Sequence, residues 1–194
     1  WIETPGDLDD VWDAEQVRDE LIKLSFAYWD YLKNGWHERE QASTWDLVAI
    51  PIYNAKRESR RFMGDYVLTE QDCLSGRTFP DTVAHAGWPL DVHHPEGLFS
   101  GEEGPFQSNT HVPLVKLPYR ILYSANVDNL LFAGRVVSVT HVALGTVRVQ
   151  NTLATLGQAA GTAAALCVNL DTSPRGIYQD HLDALQQTLL KYAQ

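Results

Sequence analysis

The sequence predicts an α/β fold, or α+β if the chain stands as an isolated piece, on three observations. Leu130 to Ala133 is a short, wholly apolar run stopped by Gly134, which suits a strand buried on both faces. From about Val147 to Val168 the pattern becomes helical and rich in Ala and Leu. Toward the N-terminus an amphipathic helix is followed by the apolar, partly β-branched stretch Trp45 to Asn54, so helices and strands alternate along the chain.

Taken in order, the acidic stretch Asp7 to Asp13 leads into a helix from Ala14 to Asn34. Val17, Leu21, Leu24 and Tyr28 repeat at helical spacing, Asp13 is the expected N-cap and Asn34-Gly35 closes the end. Trp45 to Asn54 reads as a strand interrupted at Pro51. The basic cluster that follows, Arg57, Arg60 and Arg61 around Glu58, suits either a surface ion-pair network or bidentate binding of a phosphate or carboxylate. In Asp91-Val92-His93, strand alternation puts Asp91 and His93 on one side. With His94, His85 or His111 they would make a two-His, one-carboxylate metal set, but no second ligand spacing stands out and hydrogen-bonded histidines are the preferred reading; no metal is expected. Pro95 to Asn109 reads as a surface loop, and Val112 to Asn129 as short strands broken by prolines. After a turn at Asp171 to Gly176, Ile177 to Ala193 forms a last helix with Leu182, Leu185, Leu189 and Tyr192 on one face.

Within the Ala-rich helix, Gly157, Gly161 and Ala164 or Ala165 share one stripe with almost no side chain. Two helical glycines each cost about 1 kcal/mol relative to alanine, so something approaches this backbone closely: a sheet, another helix or a flat ligand. The start of the helix, with its free N–H groups, suits the electron-rich edge of a cofactor.

The run Asn129-Leu-Leu-Phe-Ala-Gly-Arg135, then Ser138-Val-Thr-His-Val-Ala143, then Arg148-Val149, then Gly157-Gln-Ala-Ala-Gly-Thr-Ala-Ala-Ala165, resembles the C-terminal flavin-contacting segment of the FAD-dependent oxidoreductase family, of the glutathione-reductase-like flavoprotein superfamily. The resemblance extends to Trp29-Asp-Tyr-Leu-Lys-Asn34, to Arg57-Glu-Ser-Arg-Arg61 with Gly64-Asp-Tyr-Val-Leu-Thr69, to Gly87-Trp-Pro-Leu-Asp-Val-His93 and to Pro118-Tyr-Arg120. It implies FAD as cofactor and the C-terminal part of a Rossmann-type FAD-binding domain joined to a substrate domain of mixed strands and helices. It places Gly134 and Arg135 beside the ribityl or pyrophosphate part of FAD. Ser138, Gly145 and Gly157 fall along the cofactor, Val149 at the pyrimidine edge, and Arg60 or Arg61 on an anionic group. His141 is the implied proton-handling base, Arg148 the group facing negative charge, and His93 and Asp91 line the substrate side. The corresponding organisation is a substrate part over 1-128, a return strand and flavin-facing helix over 129-170, and a C-terminal helix over 171-194.

Bulk properties narrow the alternatives. A net charge of −10 and a pI near 5.0 argue against a general nucleic-acid partner. No run of 18 apolar residues suggests a membrane partner, and the only two cysteines, Cys73 and Cys167, form no Cys-x-x-Cys and are expected as free thiols. None of the 13 glycines makes the Gly-x-Gly-x-x-Gly turn that holds a dinucleotide pyrophosphate. The expected partners are therefore a small-molecule substrate and an N-terminal FAD-binding segment, encoded upstream or on a separate chain. The expected function is the part of an FAD-dependent oxidoreductase that closes the flavin site and lines the substrate side for hydride transfer. Without the missing half the chain is expected to be inactive. The alternative is a non-catalytic assembly or ligand-binding subunit whose bare helix is a protein interface.

Overall fold

A computed structural model describes residues 2–55, 60–101 and 106–192. Arg57 and Glu58, and with them the ion-pair network expected there, lie outside the described residues. The fold is mixed α/β, about 49% helix and 12% strand, so its strands make only small sheets. The chain divides into two compact units, Trp1–Ser59 with His93–Gln107 and Arg60–Val92 with Ser108–Gln194. Residues 60–92 belong to the same unit as the C-terminal half.

In the first unit, α1 spans Ala14–Asp30 and runs on into a π-helical turn at Tyr31–Gly35, with a short α2 at Arg39–Ala42. Asp13 holds the N-cap position, but its carboxylate accepts from the Asp9 amide at 3.1 Å rather than from the helix. Lys33 Nζ donates to the carbonyls of Ala42, Ser43 and Trp45 at 2.8 to 3.0 Å. That contact helps explain why Trp45 to Asn54 forms no strand: one carbonyl is already taken, Pro51 lacks an N–H, and the apolar side chains turn outward, with Val48 94% exposed. Among the described residues of this unit, only Val17 and Ala42 are buried hydrophobics. A short 3-10 turn lies at Gly97–Phe99.

The second unit holds the core. Strand β1, Thr82–Ala86, pairs antiparallel with β4, Val115–Pro118, matching Ala84 to Leu117 and Ala86 to Val115. Strand β2, Leu90–His93, pairs with β3, Phe106–Thr110, where the sequence suggested only a loop; the division between units runs across both strands. In β2, Leu90 and Val92 are buried while Asp91 and His93 are half-buried, as alternation predicts. The short helix α3, Glu70–Ser75, starts in a capping box in which Thr69 and Asp72 satisfy each other's backbone amides. Its Cys73 is fully buried, and that burial pushes the thiol pKa up to about 12, whereas Cys167 is half-buried.

The C-terminal helices are α4, His141–Val147, α5, Gln150–Leu170, α6, Pro174–Asp180, and α7, Leu182–Tyr192. Leu156, Ala159 and Ala163 of α5, Ile177 of α6 and Leu185 of α7 join Leu117, Tyr119, Ile121 and Leu122 in one cluster. Three expectations are corrected here. Leu130 to Ala133 is not a strand: only Leu131 bridges, to Tyr123, and Gly134 turns the chain at φ +81. The Ala-rich helix begins at Gln150 because Thr140, capping Ala143 N, starts a separate helix that ends at Arg148 before extended Val149. The last helix is two, since Ser173 and Pro174 open α6 early and His181 breaks the run at φ −134.

By length and composition alone α5 is long and apolar enough to span a bilayer, with mean hydropathy 1.3 over an 18-residue window, 22% of which is buried. A soluble core helix passes the same test when mostly covered. This one leaves much of its surface open.

Candidate functional site

The sequence motif ending Arg60-Arg61 and the passage from Gly134 to His141 were separate signals; the second unit lays them side by side. The Phe62 amide donates to Val136 O at 2.8 Å, the Leu68 amide to Ser138 O at 3.0 Å, and the Thr140 amide to Leu68 O at 2.9 Å, with Leu68 and Val139 bridged in parallel. Gly64 makes the approach possible, since a Cβ there would sit 2.4 Å from Arg120 O and 3.1 Å from Ser138 Cβ. Arg61 is half-buried and Arg60 exposed. Burial lowers the Arg61 pKa. Loss of water and the Arg61 charge together hold His141 below the usual histidine range. His141 is thus a neutral imidazole beside a cation at physiological pH.

Arg120, absent from the predicted site, braces this ladder. Its backbone N, Nε and Nη2 donate to fully buried Asp81 at 2.9 to 3.1 Å, its guanidinium lies 5.1 Å from the ring centres of both Tyr66 and Tyr178, and its carbonyl accepts from Tyr66 N. The Pro-Tyr-Arg triplet marked Arg120. Nothing marked Asp81, 39 residues away, as its partner.

A second constellation sits where α4 gives way to α5. Arg148 Nη2 lies 2.5 Å from Asp91 Oδ2, in a pair whose side chains are 18% and 10% exposed. Thr146 Oγ1 donates to Trp88 O, and Trp88 Nε1 reaches the same Asp91 oxygen at 3.5 Å. Gly145 is bare because β2 runs against it: a Cβ there would lie 2.9 Å from Asp91 O. The structure therefore unites Asp91 with Arg148, two residues assigned to different roles, and gives the close approach at Gly145 to a strand. Val149 caps α5 in extended conformation, its carbonyl accepting from Leu153 N.

His93 belongs to the first unit, where Nδ1 is 2.7 Å from Glu3 Oε1. His94 Nδ1 accepts from Glu96 N. Among the described residues no group of three or more His, Cys, Asp or Glu is arranged to hold a metal. Two shallow apolar grooves run along α1 in the same unit, between Tyr28, Trp29, Ile22 or Phe26 and the segment Leu47 to Ile52, and none of the predicted site residues lines them.

Residues 2–189 match the family model described as FAD dependent oxidoreductase. The chain belongs to this family. No curated protein and no solved structure matches it. The FAD dependent oxidoreductase family carries FAD, and its members are oxidoreductases. The residues present fit such a group in three places. Gly134, at φ +81, has nothing within 4 Å of an added Cβ, so the turn at Gly134 and Arg135 is an open, side-chain-free edge. Ser138 Oγ is enclosed and has no hydrogen-bond partner among the described residues. Gly157 and Gly161 likewise open onto empty space, with Ala164 and Ala165 exposed beyond them.

Proposed function

We propose that this chain closes the flavin site of an FAD-dependent oxidoreductase and lines its substrate side for hydride transfer. The Gly-x-Gly-x-x-Gly half is then contributed by residues outside this sequence or by another chain. The observation that carries the reading is the uncovered flank of α5: in a family member, a helix that begins just after Arg148 and Val149 presents Gly157 and Gly161 to open space. A bare flank of this kind is costly in a helix and is explained when a flat ring system or the missing half rests on it. The first unit, whose described residues bury only Val17 and Ala42 among hydrophobics and leave Val48, Ile52 and Tyr53 outward, has the same need of further covering.

In this reading Gly134, Arg135, Ser138, Val149 and Gly157 hold the cofactor, and FAD when bound supplies the hydride acceptor. Neutral His141 takes the substrate's departing proton on an imidazole nitrogen. Asp91 fixes the Arg148 side chain, so that the junction before α5 offers backbone N–H groups in a set position. By itself the 194-residue chain would not retain FAD.

Gly161→Leu tests the reading with two measurements. In the isolated chain it should raise stability by up to about 1 kcal/mol, because a helical glycine is lost at an open site. In the complete protein it should sharply lower the FAD content per polypeptide. A full complement of flavin in that variant would remove the proposed role of this flank.

A further inference from the structure

Six tryptophans occur in the chain, and Trp88 is the only one in the second unit. The residue is held at both ends. Thr146 Oγ1 of α4 donates to its carbonyl, and its Nε1 lies 3.5 Å from Asp91 Oδ2 of β2, the oxygen that also sits 2.5 Å from Arg148 Nη2. Pro89 confines the Trp88 backbone to extended conformations. Despite these tethers Trp88 is 47% exposed, and Gly87 just before it has nothing within 4 Å of an added Cβ. A single exposed hydrophobic is ordinary on a protein surface. A tethered one is a different case: holding the indole still costs side-chain entropy, and a second flat group packed on its open face offsets that cost.

We infer that Trp88 is an aromatic wall of the flavin site, its indole packing against the isoalloxazine where that ring meets the start of α5; the inference rests on the flavin reading above. The indole and the Arg148 guanidinium share one carboxylate oxygen, so the ring stands one side chain away from Arg148 and Val149, the residues which that reading sets at the flavin's pyrimidine edge. Asp91 and Arg148 are paired, so the indole borders an ion pair rather than a lone charge. Such a border suits an uncharged planar ring better than a phosphate. An indole is electron-rich and an oxidised isoalloxazine electron-poor, and their stacking is favourable beyond the area it covers. Close packing of β2 on α4, which Gly145 permits beside Asp91, keeps the wall and the helix junction in register.

The test uses the complete protein loaded with FAD. An indole in van der Waals contact quenches flavin emission strongly and a phenyl ring does not, so Trp88→Phe should keep its FAD and emit several-fold more brightly than wild type. Trp88→Leu, which removes the ring, should bind FAD about tenfold more weakly, the scale of one lost stacking partner. Retained FAD shows that the phenylalanine variant is folded, and its emission decides the matter even where the leucine variant fails to fold. Emission unchanged in Trp88→Phe, or FAD affinity unchanged in a folded Trp88→Leu, would each overturn the inference and leave the flavin reading standing. A complete protein that carries no FAD would end that reading and the inference together.

Discussion

Arg148 and Asp91, 57 positions apart in the chain, form one of the least exposed ion pairs in the second unit, with Nη2 2.5 Å from Oδ2. The pair ties the start of α5 to strand β2, and Gly145 lets the two backbones close on each other. Asp91→Asn removes the carboxylate that faces the Arg148 guanidinium, whose side chain is 18% exposed. The expected loss is roughly 3 kcal/mol, read from the denaturant midpoint of the isolated chain. Gly145→Ala should cost about 1–3 kcal/mol by overpacking. If Asp91→Asn changes the midpoint by less than about 0.5 kcal/mol, the range of ordinary surface substitutions, the pair is ornamental and β2 is held by its apolar residues alone.

Asp81→Asn is expected to be the more damaging change. Its carboxylate is fully buried and accepts three bonds from Arg120, which also carries the stacking of Tyr66 and Tyr178. Loss of about 3–5 kcal/mol follows from leaving Arg120 without its counter-charge. The Arg61 to His141 ladder should loosen with it, seen as faster hydrogen exchange at the Phe62, Leu68 and Thr140 amides. Exchange rates equal to wild type would show that the brace and the ladder are independent.

His141 makes the chain acid-sensitive in a defined window. Its folded pKa lies below the ordinary 6.5 because of lost hydration and the Arg61 charge. Between the two values the unfolded chain binds more protons than the folded one, so stability is complete above pH about 6.5 and declines as pH falls toward the folded pKa. Asp65, held down first by Arg175, and Asp72, whose burial is outweighed by bonds from Thr69, Tyr66 and Arg77, are depressed below 3.8 and act only at more acid pH. His141→Gln should flatten the upper window and leave the lower one. A stability profile between pH 5 and 7 that is unchanged in His141→Gln would mean the imidazole titrates identically in both states.

Local signals were legible where a residue's neighbours in sequence are its neighbours in space. The 3.6-residue repeat from Val17 to Tyr28 placed α1, and alternation placed Asp91 and His93 on one side of a strand, opposite buried Leu90 and Val92. The bare stripe at Gly157 and Gly161 was visible as spacing alone, and it lies open. What failed was decided at a distance or by a cap. Trp45 to Asn54 has strand composition but no partner, and Lys33 claims one of its carbonyls. Thr140 is an N-cap that starts α4 at His141, six residues before the Ala-rich pattern begins at Val147. The same holds for the site: its arginines and His141 stood out by type, but the pairing of Asp91 with Arg148 and of Asp81 with Arg120 depends on how β1, β2 and α4 fold together.

The two cysteines give the chain an internal gauge of its own integrity. Cys167 sits half-buried on α5, while Cys73 is sealed on the inner side of α3, where burial pushes its thiol pKa up to about 12. An alkylating reagent should therefore modify Cys167 first, at a rate that grows with pH because burial raises its thiol above the ordinary value, and modify Cys73 only as often as the core opens.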